Sequence, residues 1–517
     1  MKRVSRECYA EREKRNPDMQ NGTLLAAVDL GSNSFRLEIG RFDHGRIHRT
    51  EYLKETVRQG TGLDADRNLT AEAMQRGWDC LARFGERLAG FKRAQIRAVA
   101  TQTLREARNR EEFLKPACKI LGFPIDVVSG REEARLIYQG VARLLPQSDQ
   151  RRLVVDIGGR STEMIVGKGL EAHAMESYRV GSVAWSMKYF PDGQFSPRAF
   201  ETAEIAAKAV LDEAVQTYRA GAWEVAYGSS GTIGAVSDVL TAAGAPVGVV
   251  TREGLDWLLD RLLAAQSADR LRIDGMKDDR RAVIGGGVSV LRAVFDLLGI
   301  EQMQAAQGAL RHGALYDLLA REQESTDLRS TAVQRLASKF NTDALQAQRV
   351  SKVARHLLLM ARAGLSETGS GRFHRKLQWA AQLHEIGSQI SHSDYHKHGA
   401  YILDNADTPG FAQPELHRLS QLVLGHRGKL RKLEVDFEDR GFVQQLLCLR
   451  LAVILCHARR DPDLKGLLLE SGTEPGRNFL LNCRPGWAEA FPQSAHLLRE
   501  EVVAWQKTPW TLNVCGL

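Results

Sequence analysis

The sequence predicts an α/β protein with two similar lobes, followed by an all-helical region and a small α+β segment. The first observation is an internal repeat: the stretch 154–167, VVDIGGRSTEMIVG, echoes the stretch 28–40, VDLGSNSFRLEIG, with Asp156 matching Asp29 and Gly167 matching Gly40 at a constant offset of 127 residues. The second is a change at about Asp327, after which helical periods dominate and β-branched runs are rare. These patterns predict a polar arm at 1–20, a first lobe at 21–136, a second lobe at 137–320, a helical domain at 321–460 and a small domain at 461–517.

Length and composition limit the class of protein. With 517 residues, of which 43% are hydrophobic, the chain is too long for one ordinary core, and three or four domains are expected. The longest nearly uncharged apolar run, 446–456, contains Arg450 and is too short for a membrane span. The N-terminal arm is polar and lacks the apolar segment of a signal peptide. We therefore expect no transmembrane helix.

The cysteines and the charge balance indicate the expected environment. The seven cysteines have neither a CxxC spacing nor an even count, which favours a reducing cytoplasm over a disulfide framework or a zinc site. Lys and Arg number 71 against 63 Asp and Glu, a net charge of +8. This balance fits a polyanionic partner, and a solvated surface explains it about as well. We predict a cytoplasmic location and leave peripheral association with a membrane open.

Each copy of the repeat has the pattern of a β-hairpin. An apolar run ends in Asp29 or Asp156, a Gly/Ser turn follows, and a second run is rich in apolar and β-branched residues. Turns of this kind direct backbone N–H groups into one concavity, where an anion can be held. The two copies therefore predict two phosphate-binding turns that face each other across a cleft. Their candidate residues are Gly31, Ser32, Asn33 and Ser34 in the first turn and Gly158, Gly159, Arg160 and Ser161 in the second.

The remaining elements of the first lobe follow in order. Helical spacing with a threonine N-cap predicts a helix at 70–90, and an apolar run predicts a buried strand at 96–100. The next segment, 101–107, turns into a helix in which the threonines are candidate caps. On sequence alone, Arg105 is as well explained by a surface charge as by a place near the cleft. A short strand at 125–129 leads into an amphipathic helix.

Two glutamates lie in the first turn of that helix. The spacing from Ser129 to Glu132 matches a capping box, in which the serine caps the helix and the glutamate reaches back to the serine N–H. Glu133 is then left over beside the helix N-terminus. A carboxylate in this place is by itself only a favourable partner of the helix dipole.

The second lobe adds one acidic candidate and one further turn. Strand alternation puts Glu163 on a strand that leaves a phosphate turn, where a carboxylate can ligate Mg²⁺ or orient water; the alternative is an exposed strand carboxylate. A helix is predicted at 196–220, with Ser196 as its cap and Pro197 in its first turn, and a strand is predicted at 225–227. The Gly/Ser turn that follows is weak evidence by itself. Its candidates are Gly228, Ser229, Ser230, Gly231 and Thr232.

The helical region carries a histidine cluster and a basic surface. Long helical periods occur at 345–363, 375–390, 414–426 and 441–459. Histidines gather around His384, which invites a metal interpretation. Basic residues suit a surface that tracks a phosphate chain, although a solvated loop is an alternative. These residues are Lys397, His398, Arg427, Lys429, Arg431 and Lys432. Short strands at 479–481 and 510–514 are expected in the terminal segment.

The chain resembles the exopolyphosphatase and guanosine pentaphosphate phosphohydrolase family from about Leu25 to near the C-terminus. The motifs that carry the resemblance are the two Asp-x-Gly turns, the turn at 228–232 and the run 129–135, SGREEAR. The resemblance implies two actin-like lobes of the ribonuclease H-like (ASKHA) class, an HD-like helical domain and a homodimer. His384-Glu385 stands where HD proteins have their metal-binding pair, which argues against an intact dinuclear site. Arg160 replaces a glycine of the family, and we expect it either to add a phosphate contact or to point to solvent.

The resemblance also implies a reaction. The glutamate that matches Glu133 acts as the base that activates water, and Arg105 lies near the phosphate cleft. Mg²⁺, or another divalent ion, would be held by Asp156 and Glu163, and stimulation by K⁺ is left open. The leading expectation is an exopolyphosphatase that releases orthophosphate processively from inorganic polyphosphate. The first alternative removes the terminal phosphate of guanosine pentaphosphate, and a third reading is an actin-like ATP-binding module; no specific nucleic acid is expected as a partner.

Overall fold

The computed structural model describes residues 20–146, 148–321, 328–361, 370–406, 408–472 and 476–517. The predicted N-terminal arm, apart from Gln20, lies outside these residues. The chain divides into two compact units, Met1–Asp327 and Leu328–Leu517. Within the described ranges, none of the helices combines the length and the apolar character that a membrane crossing needs.

The first unit contains a five-stranded sheet with the order β3-β2-β1-β4-β5. Strands β1, β2 and β3 are antiparallel neighbours, whereas β1, β4 and β5 run parallel. The strands are β1 Leu24–Leu30, β2 Phe35–Asp43, β3 Arg46–Glu55, β4 Ile96–Ala100 and β5 Ile125–Val127. The helices of this lobe are α1 Ala71–Arg87, α2 Gln102–Glu106, α3 Arg110–Leu121 and α4 Gly130–Leu144.

The same unit contains a six-stranded sheet with the order β10-β11-β9-β6-β7-β8. Its strands are β6 Arg151–Ile157, β7 Thr162–Lys168, β8 Glu171–Tyr178, β9 Val225–Ser229, β10 Val249–Thr251 and β11 Gln302–Ala305. Its helices are α5 Ser182–Tyr189, α6 Pro197–Leu211, α7 Val215–Tyr218, α8 Ser230–Ala242, α9 Arg252–Ala265, α10 Asp278–Arg281, α11 Ile284–Leu298 and α12 Leu310–Arg321.

The two sheets repeat one topology. The order β8-β7-β6-β9-β11 in the second lobe matches β3-β2-β1-β4-β5 in the first, with the same parallel and antiparallel neighbours. The predicted hairpins are β1-β2 and β6-β7, in which Asp29 lies opposite Arg36 and Asp156 lies opposite Glu163. The prediction of two similar actin-like lobes is therefore confirmed, because the sequence repeat corresponds to a repeat of strand order.

Local capping explains where several helices begin. The side chain of Thr70 accepts a hydrogen bond from Ala73 N at the start of α1, and Ser129 accepts one from Glu132 N at the start of α4. The role predicted for the Glu132 side chain is different in the structure. Both carboxylate oxygens accept hydrogen bonds from Arg135, at 2.7 and 2.8 Å, so the carboxylate forms a buried bidentate ion pair.

Helices α4 and α12 lie between the two sheets and bring the lobes together. Buried residues of α4 pack with Val154 and Ile165 of the second sheet, and buried residues of α12 pack with β1 of the first. The two helices approach so closely that a Cβ atom on Gly313 would lie 1.8 Å from Leu136 O, and one on Gly140 would lie 2.2 Å from Ala309 O. Glycine is required at these positions because no side chain fits between the helices.

The second unit is a helical body with a small sheet. Its helices are α13 Leu328–Lys339, α14 Ala344–Ala361, α15 Ser370–Leu383, α16 Tyr395–Asp404, α17 Gln413–Gly425, α18 Arg440–Leu455, α19 Trp487–Ala490 and α20 Pro492–Trp505. Its strands are β12 Leu467–Ser471, β13 Asn478–Cys483 and β14 Thr511–Cys515, in the order β12-β13-β14.

The small sheet shares one hydrophobic core with the helices. Leu469 of β12 and Phe479 of β13 belong to the same buried cluster as Leu447 of α18. Arg450 of α18 donates two hydrogen bonds to the buried carboxylate of Glu501 on α20, at 2.5 and 2.7 Å. The region predicted as helices and the segment predicted as a small α+β domain therefore fold as one unit. The sheet packs against the helices in a shared core.

Candidate active site

The cleft of the first unit contains a cavity of about 510 Å³. It lies where the two hairpin turns and the beginnings of α4 and α8 meet. The cavity-lining residues that the sequence predicted are Asp156, Glu133, Gly31, Ser32, Asn33, Ser34, Gly158, Gly159, Ser161, Ser230, Gly231 and Thr232. Segments more than 200 residues apart in the chain thus supply the walls of one cavity.

The two turns of the hairpins are in direct contact at one side of this cavity. A Cβ atom on Gly159 would lie 2.9 Å from the Cβ of Ser32, so glycine is needed for this approach. The hydroxyl of Ser32 accepts a hydrogen bond from Thr103 Oγ1 at 2.8 Å, and its backbone carbonyl accepts one from Gly60 N at 2.7 Å. The second turn is closed by a bond from Gly158 N to Ser161 O. Both turns are therefore held rigidly.

Glu133 lies in the first turn of α4, with 6% of the residue exposed. Its Oε2 accepts a hydrogen bond from Arg105 Nη1 at 3.0 Å, and the same nitrogen donates to Val128 O. Burial raises the pKa of Glu133 to about 7; Arg105 opposes the rise, and the charges of Asp156 and Asp29 add to it. A carboxylate with this pKa is about half ionised near neutral pH, and its ionised form is basic enough to accept a proton from water.

Asp29 and Asp156 end equivalent strands and both line the cavity. Asp29 forms an ion pair of 3.1 Å with Arg36 on the neighbouring strand. Burial raises the pKa of Asp156 to about 6, partly offset by a hydrogen bond with Ser229 and by the charge of Arg36. Two carboxylates from equivalent strands therefore line the cavity, and Arg36 is paired with one of them.

Glu163 is placed differently from the expectation. It is 1% exposed, its Oε1 accepts a hydrogen bond from Ser177 Oγ at 2.7 Å, and it is not among the residues that line the cavity. Burial and the charges of Glu133 and Asp156 raise its pKa well above the ordinary value. The predicted pair of metal ligands, Asp156 and Glu163, is therefore not presented together to the cavity, because Glu163 lies behind it against β8.

The carboxylates that line the cavity include two, Asp29 and Asp156, that are candidates for holding Mg²⁺. Within the described ranges, no group of three or more His, Cys, Asp or Glu side chains is arranged to hold a metal ion. Mg²⁺, however, usually takes only one or two carboxylates and completes its shell with water and substrate phosphates. Asp156 and Asp29 are carboxylates of this kind, so the donors present fit the ion when a phosphate is bound.

Arg160 corrects a second expectation. Its Nε and Nη2 lie 3.0 and 2.9 Å from Glu106 Oε2, and its Nη1 donates to Gly60 O at 3.0 Å. These three residues form what we call the Arg160 clamp, in which the second lobe grips two segments of the first. The guanidinium is thus engaged away from the cavity, and Arg160 is not among its lining residues. It neither contacts the predicted phosphate position nor points to solvent.

Three other predicted phosphate ligands also lie outside the cavity lining. Arg105 holds Glu133 and the backbone of Val128, as described above. Gly228 packs against Ile233, and Ser229 Oγ donates to Gly308 O at 2.9 Å. The predicted turn 228–232 is in fact a junction in which β9 ends at Ser229 and α8 begins at Ser230, whose φ is 100°.

The structure adds a group of cavity residues that the sequence did not indicate. They are mainly basic: Arg36, Tyr52, Lys54, Asp238, Lys277, Arg280 and Arg311. Only Arg36 belongs to the repeated motif, where it occupies the position that Glu163 has in the second copy. The others come from β3, from α8, from α10 and the residue before it, and from α12, and no local spacing connects them. Their positive charge balances the carboxylates and suits a polyphosphorylated ligand.

In the second unit, the predicted polyphosphate track is mostly exposed. Arg427, Lys429, Arg431 and Lys432 are exposed, and His398 is half-buried. Lys397 Nζ forms an ion pair of 2.8 Å with Asp394, which neutralises part of the surface. The guanidinium of Arg427 lies 4.8 Å from the centre of the Tyr395 ring.

Of the predicted histidine cluster, His384, His396 and His426 are buried, whereas His392 is exposed and His398 is half-buried. The rings of His384 and His426 are 5.4 Å apart, and the Nδ1 of each lies within hydrogen-bond distance of a helix carbonyl. Burial lowers the pKa of both histidines, so each is neutral near pH 7. The rings act as packing groups with satisfied Nδ1 atoms.

The duplicated sheets, the two glycine-containing turns and the buried basic carboxylate define a phosphohydrolase with two actin-like lobes. Sequence comparison agrees with this class. The profile of the Ppx/GppA phosphatase family matches residues 39–322, and that of Ppx/GppA phosphatase domain III matches residues 328–502. The chain belongs to the Ppx/GppA phosphatase family, whose members are hydrolases that act on phosphoanhydride bonds.

Curated relatives match over almost the whole chain. A protein named guanosine-5'-triphosphate,3'-diphosphate pyrophosphatase from Vibrio atlanticus is 38% identical over 495 residues, covering 95% of this chain and 98% of the relative. A protein with the same name from Vibrio cholerae is 37% identical over 493 residues, with the same coverage.

Solved structures match a little more than half of the chain. A crystal structure of an exopolyphosphatase-like protein has a TM-score of 0.53 at 25% identity and covers 58% of this chain and 99% of that one. An exopolyphosphatase from Cytophaga hutchinsonii has a TM-score of 0.51 at 24% identity, covering 57% of this chain and 98% of that one. The second of these likenesses concerns the fold alone.

Proposed function

We propose that this protein hydrolyses the terminal phosphoanhydride of guanosine 5'-triphosphate 3'-diphosphate and releases orthophosphate. The curated relatives that match over almost the full length carry the name of this activity. A cavity of about 510 Å³ is of the size that holds a small organic ligand. The guanosine pentaphosphate reading is thus favoured over the polyphosphate reading that the motifs first suggested.

The observation that carries the proposal is Glu133, a buried carboxylate with a pKa near 7 at the edge of a cavity walled by glycine and serine turns. In the proposed reaction a water oxygen attacks the terminal phosphorus and its proton passes to Glu133. The bond from that phosphorus to the bridging oxygen breaks, and the shortened phosphate chain leaves with the electron pair. Because phosphoryl transfer depends mainly on positioning and charge neutralisation, few other catalytic groups are needed.

The chain's own residues divide the remaining tasks. Amides of the turns around Ser32 and Gly159 hold the terminal phosphates, and Arg36 adds positive charge beside Asp29. Arg105 is a positioning residue, since it fixes the carboxylate of Glu133 and limits the rise of its pKa. When bound at Asp156 and Asp29 with the substrate phosphates, Mg²⁺ supplies neutralisation of the phosphate charge.

Polyphosphate is kept as a second candidate substrate because of one observation, the exposed basic residues at 427–432 in the second unit. A surface of this kind attracts long polyanions by charge, without selecting a nucleotide. The homodimer, the stimulation by K⁺ and the identity of the divalent ion stay predictions.

The two substrates are distinguished by orthophosphate release with Mg²⁺, measured at matched concentrations of terminal phosphate. We expect a higher kcat/KM for guanosine pentaphosphate than for long polyphosphate, with guanosine 3',5'-bisdiphosphate as the product. Glu133→Gln serves as the control for contaminating phosphatases. Faster release from the polymer would overturn the proposal and restore the exopolyphosphatase reading.

A further inference from the structure

One wall of the cavity is a helix face with almost no side chains. Helix α8 contributes Ser230, Gly231, Gly234, Ala235 and Asp238 to the lining. The spacings of three, four and eight residues place them along one face of the helix. A Cβ atom at Gly234 would meet no atom within 4 Å, whereas one at Gly231 would lie 2.1 Å from Arg280 Nη2, so the space in front of the helix is open at Gly234 and bounded by Arg280 at Gly231. A flat ligand can therefore lie against this face.

The far end of the same wall carries two side chains of opposite charge. Asp238 Oδ2 lies 2.9 Å from Lys277 Nζ, and both residues line the cavity. Their side chains are 49% and 68% exposed, so both can exchange this contact for one with a ligand. A rise of 1.5 Å per residue puts Asp238 about 12 Å along the helix from Ser230. This separation is comparable with the distance from the terminal phosphate to the base in a nucleoside triphosphate.

We propose that Asp238 and Lys277 read the guanine base of the substrate. The pair offers a carboxylate acceptor beside an ammonium donor. Guanine presents the complement on one edge: O6 accepts, while N1–H and the N2 amino group donate. Adenine presents the reverse, with a donating N6 amino group and an accepting N1, so both contacts would be mismatched. The inference rests on the proposed function, because it concerns the base of that same nucleotide.

The test compares guanosine pentaphosphate with its adenosine counterpart. The quantity measured is the ratio of the two kcat/KM values for wild type, Asp238→Asn and Lys277→Gln. Each substitution removes one side of the complementary pair, and we expect the ratio to fall by about 10- to 100-fold. Asp260→Asn is the matched control, since Asp260 is exposed on α9 and is not among the cavity-lining residues; its ratio should equal that of wild type.

A third substrate separates base reading from general damage. In the xanthosine counterpart an accepting O2 replaces the donating N2 amino group, so Asp238→Asn, which gains an amide donor, should use it better than wild type does. A ratio unchanged in both variants would overturn the inference while leaving the proposed function in place. Loss of tripolyphosphate hydrolysis together with guanosine pentaphosphate hydrolysis would assign the pair a structural role instead. Failure of wild type on guanosine pentaphosphate would overturn the proposed function and this inference together.

Discussion

At the scale of single residues, four buried carboxylates are the main feature of the candidate site. Asp29, Asp156, Glu133 and Glu163 are each 8% exposed or less. Burial and the charges of neighbouring carboxylates disfavour the charged forms of Glu133 and Asp156, which is why their pKa values rise to about 7 and about 6. Perturbed carboxylates in a cavity are typical of acid and base catalysts. Only Arg36 and Arg105 form ion pairs with these groups among the described residues.

The role of Glu133 as base is tested by Glu133→Gln. The amide keeps the shape of the side chain and cannot accept the proton from water, so phosphate release should fall by roughly 10²- to 10⁴-fold. Binding of guanosine pentaphosphate, measured by calorimetry, should remain. Glu112→Gln on the exposed surface of α3 is the matched control. If the Glu133 variant lost binding as well as turnover, Glu133 would be a binding group and not the base.

The pH dependence follows from the same residue. Glu133 must be ionised to accept a proton, so kcat/KM should rise as pH increases through about 7, the pKa that burial gives this carboxyl. Arg105 lowers that pKa, and its removal in Arg105→Gln should move the rising limb to higher pH. Arg105→Lys keeps the charge and should shift the limb less. A pH–rate profile identical in wild type and Arg105→Gln would contradict the assignment.

At the scale of elements, two contacts set the distance between the hairpin turns. Helices α4 and α12 pack without intervening side chains at Gly140 and Gly313. On the opposite side of the turns, the Arg160 clamp joins the second lobe to Glu106 and Gly60 of the first. Since α4 also carries Glu133, the proposed base and the hairpin turns are positioned by the same packing.

Breaking the Arg160 clamp should loosen the contact between the turns. Arg160→Ala removes the ion pair and the bond to Gly60, and a displacement of about 1 Å at a reacting centre can cost about 100-fold in rate. We expect kcat/KM to fall about 10-fold or more, with Glu106→Gln giving a similar loss. In a double-mutant cycle the two changes should not add, since both remove the same pair. Additive losses would show that the two side chains act separately.

At the scale of the whole molecule, each unit has its own hydrophobic core, and the basic residues lie in different surroundings in the two units. The first unit holds the cavity, and the second buries neutral histidines beneath an exposed basic surface. The net charge of +8 alone could not assign the basic residues to one place. The structure shows that some line the cavity, whereas others form the surface at 427–432.

The basic surface is tested by neutralising Arg427, Lys429, Arg431 and Lys432 to Gln together. If these residues track a polyanion, long polyphosphate should bind more weakly and its affinity should depend less on salt, because fewer counterions are released. Hydrolysis of guanosine pentaphosphate should not change. The control neutralises the exposed Arg499 and Lys507. An equal effect on tripolyphosphate would exclude a role in tracking a chain.

The sequence by itself determined what depends on neighbours in the chain. The repeat predicted the paired hairpins, and Thr70, Ser129 and Ser196 predicted three helix starts that the structure confirms. These features follow from side-chain periodicity and from capping bonds that span three residues. The long helices of the second unit were also foreseen, although α18 ends at Leu455, four residues before the predicted end.

Only the tertiary structure decided which side chains share the cavity. Arg160 finds its partners Glu106 and Gly60 at separations of 54 and 100 residues, so no local pattern could show that its charge is already engaged. Glu163 of β7 is held by Ser177 of β8 and does not line the cavity, while Lys277 reaches Asp238 of α8 from the residue before α10. Burial and long-range ion pairs are properties of the folded chain, and they are what distinguish a base, a clamp and a surface charge.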